Sequence, residues 1–417
     1  MLRTMILGLV CSCGLLSTSC LAGDWTQFRG PGGLGVSNET GLPVSWSDEE
    51  NLDWKAELPG YGASSPITLG DRIYVTCYSG YGTNRRDPGN MEDLLLHVVC
   101  LNRADGEIVW DKHIQPKLPE SKRVRDHGYA AATPTTDGKS LYVFFGKSGV
   151  FAFDLDGNQK WQADVGSKTH GWGCGTSPVL YKDLVIVNAS VESGSLVAIN
   201  KMTGKEEWRA RGMQASWNTP ALVDVSGGIQ ELVVSVRGRI LGFDPATGEQ
   251  LWSCQGIPDY VCPSVVSQAG IVYAIGGRSS LAIAVRAGGR GDVTETHKLW
   301  ETKAGANVCS PVIHKDHLYW VSDRRNIAYC LKLDSGEIVF QQRFSSQPYA
   351  SAVVGDDKLY IVTRRGGTYV LAAKPSYEEL SHNKFSGRGT FNSSPVISDG
   401  KLLLRSNNVL YCIGGKS

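Results

Sequence analysis

The chain has 417 residues, and its 42 lysine and arginine side chains almost balance its 41 aspartate and glutamate side chains, which leaves a formal net charge of +1. This balance gives no reason to expect nucleic acid or a membrane surface as a partner. Beyond residues 1–22, no apolar run in the sequence is long enough to span a bilayer.

Residues 1–22 have the pattern of a signal peptide. Arg3 supplies the positive charge, an apolar run follows from Met5 to Leu16, and Ala22 is the small residue that signal peptidase prefers before the cut. We therefore expect an exported protein of the periplasm or cell envelope. A lipoprotein would carry its lipid on Cys20; this alternative ranks below simple export because the residues before Cys20 match a lipidation site imperfectly.

Residues 23–50 show little strand pattern and are predicted to form a strap, anchored on the rest of the protein by Trp25, Phe28 and Trp46. The stretch NLDWKAELPG that follows contains Trp54 and reads as one isolated strand.

From there on, one phrase recurs along the chain. It is clearest as Gly242-x-Asp244-x-x-Thr247-Gly248-x-x-x-Trp252, and copies begin at Cys100, Ala152, Ala198 and Cys330. A second landmark, a proline or its equivalent Ala352 at the start of each unit, recurs every 41 to 48 residues after Pro134. Each unit reads as four short strands, A to D, with the phrase spanning the turn between C and D. Such units of roughly 40–50 residues are typical of β-propeller blades.

The units predict the fold of residues 51–417. Eight units can be counted, and the last one ends without its fourth strand. The isolated N-terminal strand can supply it, which closes the ring and removes an exposed sheet edge. We therefore predict an all-β, eight-bladed β-propeller of four-stranded blades, whose N-terminal strand completes the last blade.

Most tryptophans fall on the fourth strand of a unit, where they are predicted to dock between blades and to have a structural role. These docking residues are Trp54, Trp110, Trp161, Trp208, Trp252 and Trp300. Trp172 and Trp217 instead precede a first strand, in loops around the mouth of the central channel, where a binding role and a loop-packing role both remain open.

The turns between strands B and C lie on the same face of the disc as the D-to-A loops. They are rich in arginine, Arg405 among them, whereas the turns on the opposite face are rich in aspartate. Clustered charge of one sign focuses the potential on an anionic partner. Two insertions, Tyr78 to His97 and His113 to Ala130, also map to the arginine-rich face. The candidate binding residues are Arg125, His127, Trp172, Trp217, Asn218, Arg239, Asn307, Arg324, Arg325, Arg364, Arg365 and Arg388.

The sequence offers little for catalysis. It contains no Gly-x-Ser-x-Gly motif, no phosphate-binding Gly-rich loop and no Cys-x-x-Cys. We therefore predict no catalytic residue and no metal site. Cys100, Cys330 and Cys412 occupy the same place in their units, where other units carry alanine or glycine, and are expected to be buried thiols. Cys77 and Cys100 could pair across strands B and C of the first blade.

The repeated phrase resembles the tryptophan-docking motif of pyrroloquinoline-quinone (PQQ) repeat propellers, and the resemblance covers almost the whole chain after residue 22. The stretches DWTQFRGPGGLGVS and GLPVSW are similar to exported PQQ-like propellers common in planctomycete bacteria. One branch of this family contains quinoprotein alcohol dehydrogenases with PQQ and usually calcium. A second branch contains BamB-like proteins, which are scaffolds for outer-membrane protein assembly without a cofactor.

The dehydrogenase branch implies an adjacent-cysteine disulfide that stacks on the quinone, and this sequence has no adjacent cysteine pair. We therefore expect an exported, monomeric, non-catalytic scaffold without a cofactor, which binds a protein or another anionic partner on its arginine-rich face. One alternative is a dehydrogenase of alcohols or sugars that uses PQQ with calcium. Another is a carbohydrate-binding propeller that uses Trp172 and Trp217 as stacking platforms.

Overall fold

Each unit of the sequence folds into one antiparallel sheet, and eight such sheets form the propeller. The computed structural model describes residues 23–84 and 86–414; the predicted signal peptide lies outside them. The predicted fold class is confirmed. The insertions are shorter than predicted, because strands B and C of blade 1 continue their ladder as far as the pair Ser79 and Leu95.

Every blade has four strands, which in the order A to D are Ile67–Leu69, Arg72–Ser79, Leu95–Asn102 and Ile108–Ile114 in blade 1; Thr135–Thr136, Ser140–Phe144, Val150–Asp154 and Gln159–Ala163 in blade 2; Val179–Tyr181, Leu184–Ala189, Ser195–Asn200 and Glu206–Arg211 in blade 3; Ala221–Val225, Ile229–Val236, Arg239–Phe243 and Gln250–Gln255 in blade 4; Val266–Gln268, Ile271–Gly276, Leu281–Arg286 and Lys298–Thr302 in blade 5; Val312–His314, His317–Ser322, Ile327–Lys332 and Ile338–Arg343 in blade 6; Val353–Gly355, Lys358–Thr363, Gly367–Ala372 and Glu379–Asn383 in blade 7; Val396–Ser398, Lys401–Arg405, Val409–Gly414 and Leu52–Glu57 in blade 8. Short 3-10 turns at Pro31–Gly33, Met91–Asp93 and Gly146–Ser148 and single α-helical turns at Ser190–Ser193 and Thr294–His297 interrupt the loops.

The N-terminal strand closes the ring as predicted. Leu52–Glu57 pairs antiparallel with Val409–Gly414, and Trp54 lies opposite Cys412. The last blade is therefore built from both ends of the described chain, and its outer strand covers an edge that would otherwise be open for pairing with another chain.

The recurring phrase is explained by how each blade docks on the next one. The Trp161 indole of blade 2 donates from Nε1 to the Lys201 carbonyl in the C-to-D turn of blade 3, at 3.0 Å. The same turn carries Gly204, where a Cβ atom would lie 2.8 Å from the Trp161 ring and the backbone φ is +72°, so glycine is required. Equivalent indole–carbonyl bonds run from Trp54 to Arg103, Trp110 to Leu155, Trp208 to Pro245 and Trp300 to Leu333.

Trp252 of blade 4 is the exception among the docking tryptophans. Blade 5 lacks the Thr-Gly turn, and the Trp252 indole donates instead to the buried carboxylate of Glu231, at 2.7 Å. The long C-to-D connection of blade 5 also returns to blade 4, where Gly291–Asp292 adds a short fifth strand in parallel.

A ring of hydroxyl groups explains the second landmark. The residue before each landmark position is serine or threonine, and in blades 1 to 7 its backbone N–H donates to the corresponding hydroxyl of the next blade; Ser177 to Thr219, at 2.9 Å, is one of these bonds. In blade 5 this hydroxyl belongs to Ser264, so the landmark position there is Val265 and not Pro263. The other bonds run from Ser65 to Thr133, Thr133 to Ser177, Thr219 to Ser264, Ser264 to Ser310, Ser310 to Ser351 and Ser351 to Ser394.

Residues 23–42 cross the face that carries the A-to-B turns, whereas residues 43–50 pack along blade 7, where the Trp46 backbone N–H donates to Asn383 Oδ1 at 3.0 Å. Trp25 is fully buried and exchanges hydrogen bonds with Thr68 of blade 1. Further along the segment, the Ser37 backbone N–H donates to the Val354 carbonyl of blade 7 at 2.8 Å. Between these anchors, Arg29 is buried and donates to the Pro311 carbonyl of blade 6. The segment therefore spans the bottom of the central channel.

The cysteines of the described residues are all free thiols. Cys77 lies opposite His97 and Cys100 lies opposite Tyr74, so these two thiols do not face each other across the strands and form no bridge. Cys330 lies opposite the docking residue Phe340, and Cys412 lies opposite the docking residue Trp54. The residue opposite a docking aromatic side chain must be small, because the ring packs against it, as the Trp252 ring does at Gly242.

Candidate functional site

The central channel opens on the arginine-rich face as a cavity of about 300 Å³. Phe28 of the N-terminal segment lines it from below, and D-to-A loops and B-to-C turns line its walls. Half of the predicted binding residues are brought together around this cavity: Arg125, His127, Trp172, Trp217, Asn307 and Arg364.

One wall of the cavity is aromatic. The ring centroids of Trp172 and Trp217 lie 4.8 Å apart, and those of Trp172 and Tyr260 lie 4.6 Å apart. The Trp217 indole is buried and donates to the Gly173 carbonyl at 2.9 Å. Because the rings are tilted against one another and Trp217 is covered, this wall is a packed cluster and not a flat platform for a sugar ring.

The opposite wall is an ion pair. Arg364 Nη2 lies 2.8 Å from Asp126 Oδ1, and the guanidinium also lies over the Tyr349 ring, 5.1 Å from its centroid. The Asn392 amide donates to the Asp126 carbonyl. Asp126, Arg364 and Asn392 line both the cavity and a second depression beside it, so they form the partition between the two.

The second depression is a groove of about 350 Å³ that the two insertions build against blades 7 and 8. Its floor contains Tyr78 and Tyr129, whose rings meet edge to face at 5.3 Å. Its rim carries Lys122, Arg123 and Arg365, all of which are exposed. An apolar floor with a cationic rim suits a partner segment that carries both apolar and acidic side chains.

The cavity holds few groups that can act as acids or bases. Asp323 is buried and accepts hydrogen bonds from the backbone N–H groups of Asn307 and Val308, at 2.7 and 3.1 Å. Burial raises the pKa of Asp323 in spite of these bonds. Burial also lowers the pKa of His127, which keeps its imidazole neutral at pH 7.

The remaining predicted binding residues lie outside the cavity. Asn218 is buried in the wall behind it and donates to the Ser235 carbonyl. Arg239 pairs with Asp292 at the outer edge of blade 4, at 3.1 Å. Arg324 donates to the Arg278 carbonyl on the rim. Arg325 and Arg388 are exposed on the same face.

Arg405 was expected among the surface arginines of this face, and the structure corrects this expectation. Its guanidinium is buried, donates to the carbonyl and hydroxyl of Ser64, and lies 3.3 Å from the Cys77 sulfur. A B-to-C turn position alone did not reveal that the side chain turns inward between blades 8 and 1.

The two faces differ in how their charges are compensated. On the face opposite the cavity, most of the turn aspartates form ion pairs, as Asp356 does with Lys358; the others are Asp71, Asp137, Asp183, Asp357 and Asp399. On the cavity face, several exposed arginines form no ion pair with any described residue: Arg123, Arg125, Arg237, Arg278, Arg324, Arg325, Arg365 and Arg388. The cavity face therefore carries a group of exposed arginines that no described carboxylate pairs with.

Sequence reasoning missed Phe28 as the lower wall of the cavity and the Arg364–Asp126 partition. Phe28 was assigned only an anchoring role, because nothing in the sequence places the N-terminal segment across the channel. Asp126 and Arg364 lie 238 residues apart, and no local pattern links them.

The cavity residues do not suit a quinone held by calcium. Calcium takes six to eight oxygen ligands, usually with several carboxylates. Among the described residues, the carboxylates that line the cavity are Asp126, which is paired with Arg364, and Asp323, which is bonded to backbone N–H groups. The described residues also offer no disulfide as a second stacking surface, since their cysteines, Cys262 at the cavity among them, are all free thiols.

In the described part of the chain, no helix has the length and apolar character needed to cross a membrane.

Comparisons with known proteins agree with this fold. The family model described as "Outer membrane protein assembly factor BamB" matches residues 32–170 and 97–342, more than half of the chain. The outer membrane protein assembly factor BamB of Shewanella oneidensis is 23% identical over 333 residues, which is 66% of this chain and 79% of that protein. The protein of the same name from Yersinia pestis is 23% identical over 285 residues, 65% of this chain and 66% of that protein.

Solved structures show the same architecture. BamB from Moraxella catarrhalis aligns with a TM-score of 0.61 and 12% identity over 87% of this chain and 96% of that one. A quinohemoprotein alcohol dehydrogenase from Comamonas testosteroni aligns with a TM-score of 0.67 and 10% identity over 95% of this chain and 81% of that one. At such identities the two likenesses concern the propeller fold alone.

Proposed function

The chain belongs to the family described as outer membrane protein assembly factor BamB, and on that premise we propose that it is an exported, non-catalytic scaffold that binds a protein partner through its arginine-rich face. The partner is a protein with an acidic, partly apolar segment, and the setting is protein assembly in the cell envelope. Residues 1–22 direct the export. Lipidation of Cys20, the alternative to simple export, would also place the protein in the cell envelope.

The observation that carries this proposal is the groove beside the channel mouth. Its rim presents Lys122, Arg123 and Arg365 without carboxylate partners among the described residues, above a floor of tyrosines. Exposed like charges on one rim raise the local concentration of an acidic partner and fix its orientation. Tyrosine supplies contact area at low entropic cost, which is why it is enriched at protein interfaces.

The absence of a cofactor is part of the proposal. Support comes from the donor set of the cavity, in which both carboxylates already have partners, and from the packed aromatic wall. Purified protein incubated with PQQ and calcium should therefore bind no stoichiometric quinone and should reduce no dye when an alcohol is added. Stoichiometric PQQ with turnover would refute the non-catalytic part and leave the family assignment untouched.

Partner binding can be tested with a fluorescently labelled oligoglutamate peptide and a triple variant of the groove rim, in which Lys122, Arg123 and Arg365 become Gln. Exposed charge pairs contribute about 0.5 kcal/mol each, so three losses amount to roughly 1.5 kcal/mol and about a tenfold weaker Kd. Lys139→Gln with Lys182→Gln and Lys205→Gln is the matched control, because all three lysines are exposed on the opposite face.

The control variant should bind as the wild type does, and binding should weaken with salt, since exposed charges are screened over about 8 Å at physiological ionic strength. Equal losses in both variants would indicate a non-specific charge effect, and no loss in the groove variant would refute the groove as the binding site.

A further inference from the structure

Blade 1 brings two histidines and one aspartate together away from the channel. His97 lies on strand C, and Asp111 and His113 lie two residues apart on strand D, so all three project from the same face of the sheet. His97 and His113 are directly opposite each other in the ladder. Asp111 Oδ2 lies 3.0 Å from His97 Nδ1 and 3.1 Å from His113 Nε2.

We propose that His97, Asp111 and His113 bind a divalent transition-metal ion, of which Zn²⁺ fits the ligands best. One donor atom from each residue lies within 4.8 Å of the other two. Tetrahedral zinc with bonds of 2.0–2.1 Å places neighbouring ligand atoms about 3.3 Å apart. The present spacing therefore needs only small side-chain shifts. Two imidazoles and one carboxylate suit zinc and its neighbours in the transition series, whereas calcium and magnesium prefer oxygen ligands alone.

The surroundings hold the ligands in place. His97 is 4% exposed, and its Nε2 lies 2.8 Å from the Ser79 hydroxyl, which directs Nδ1 towards Asp111. Such a second contact on the far nitrogen is usual for a metal-ligating histidine. His113, by contrast, has a half-exposed side chain, so an ion can enter from solvent and complete its coordination with water.

The site binds a metal with its carboxylate ionised and both imidazoles neutral, so the affinity should fall at acidic pH. The thiol of Cys77, opposite His97, does not take part, because it faces Arg405 Nη2 at 3.3 Å.

The site lies where a metal would reinforce the closing seam of the propeller. The ligands project from the face of blade 1 that packs against blade 8, because Cys77 and Val99, the ladder partners of His97 and Asp111, belong to the same apolar cluster as Leu58 and Leu403. An ion bound to the folded state alone stabilises it by mass action. Zinc should therefore raise the Tm.

The test uses the full chain after removal of metal with a chelator. Isothermal titration with Zn²⁺ should give one equivalent, and His113→Gln and Asp111→Asn should each weaken the affinity at least tenfold. His113 is exposed enough for its variant to fold, which circular dichroism verifies. The matched control is His314→Gln, because His314 also pairs with a carboxylate, Asp357 at 2.8 Å, and lies opposite His317 in its ladder, yet among the described residues these side chains do not bring three ligand atoms together.

Cobalt(II) provides an independent readout of the ligand atoms. The proposal predicts visible d–d bands without a sulfur-to-cobalt charge-transfer band, and loss of these bands in His113→Gln. No saturable binding in the wild type, equal affinity in His113→Gln, or a spectrum dominated by thiolate ligation would each overturn it. Failure of zinc binding would leave the proposed partner binding unaffected, because the groove variants do not touch these residues.

Discussion

Glu231 is expected to be one of the most sensitive positions of the propeller. Its carboxylate is 1% exposed and accepts hydrogen bonds from the Trp252 indole at 2.7 Å, from the Gly288 backbone N–H at 3.0 Å and from Arg290 at 3.2 Å. It thereby does in blade 4 what a backbone carbonyl of the next blade does for the other docking tryptophans.

Replacement of Glu231 by alanine should destabilise the fold by about 3–5 kcal/mol. A hydrogen bond to a charged group contributes about 1.5–3 kcal/mol, and a buried donor left without a partner costs about 1–3 kcal/mol. Because Trp252 is fully buried, its indole N–H would be left without a hydrogen-bond partner. Arg290 is mostly exposed, so water would solvate it and its loss adds little.

The assay is the free energy of unfolding in urea, measured for Glu231→Ala, Trp252→Phe and the double variant. Because Trp252→Phe removes the donor and keeps a ring, the loss caused by Glu231→Ala should be about 1–3 kcal/mol smaller in that background. Glu249→Ala, at an exposed position of the same blade, should change stability by less than about 0.5 kcal/mol. Additivity of the two changes would refute the idea that Glu231 acts through the Trp252 indole.

Three further predictions concern closure, thiols and pH. Deletion of all residues through Pro59 should expose Val409–Gly414 as an open edge and give aggregates in size-exclusion chromatography; a soluble, cooperatively folded product would contradict this. Burial raises the pKa of Cys330 to about 11 and of Cys412 to about 12, so neither should react with a thiol reagent until urea unfolds the protein; modification of native protein, detected by mass spectrometry, would show the burial to be wrong. Burial raises the pKa of Glu192 from 4.5 to about 8, so the folded state retains a proton that the unfolded state releases, and stability should fall as the pH rises from 4.5 to 8. Glu192→Gln should remove this slope in thermal unfolding, and an unchanged slope would exclude Glu192 as its cause.

The strand order and the closure of the ring could be predicted from the sequence because they depend on local, repeated chemistry. In most blades the turn between strands C and D needs a glycine in the left-handed region, as at Gly204, and the strands on either side of it alternate with a period of two. Such requirements recur at fixed spacing, so the eight units and the unpaired N-terminal strand with Trp54 were visible without coordinates.

The exceptions to the repeat needed the tertiary structure. The repeat predicts, between strands C and D of each blade, a Thr-Gly turn that accepts the indole N–H of the preceding blade. Blade 5 lacks this turn, and only the fold shows that Glu231 takes over as the acceptor for Trp252 of blade 4. Arg405 occupies a turn like its exposed counterparts, yet the approach of Ser64 from the neighbouring blade makes burial possible.

The amino-acid sequence by itself therefore determined the architecture of this protein and the face on which its loops and arginines gather. Only the tertiary structure decided which of these residues meet. Arg364 pairs with Asp126 from a remote insertion, Phe28 reaches the channel from the N-terminal segment, and His97 meets His113 across a ladder. The physical reason is that each blade forms through contacts between residues that are close in the sequence. A site on the closed ring instead joins side chains from different blades, and no local pattern in the sequence links them.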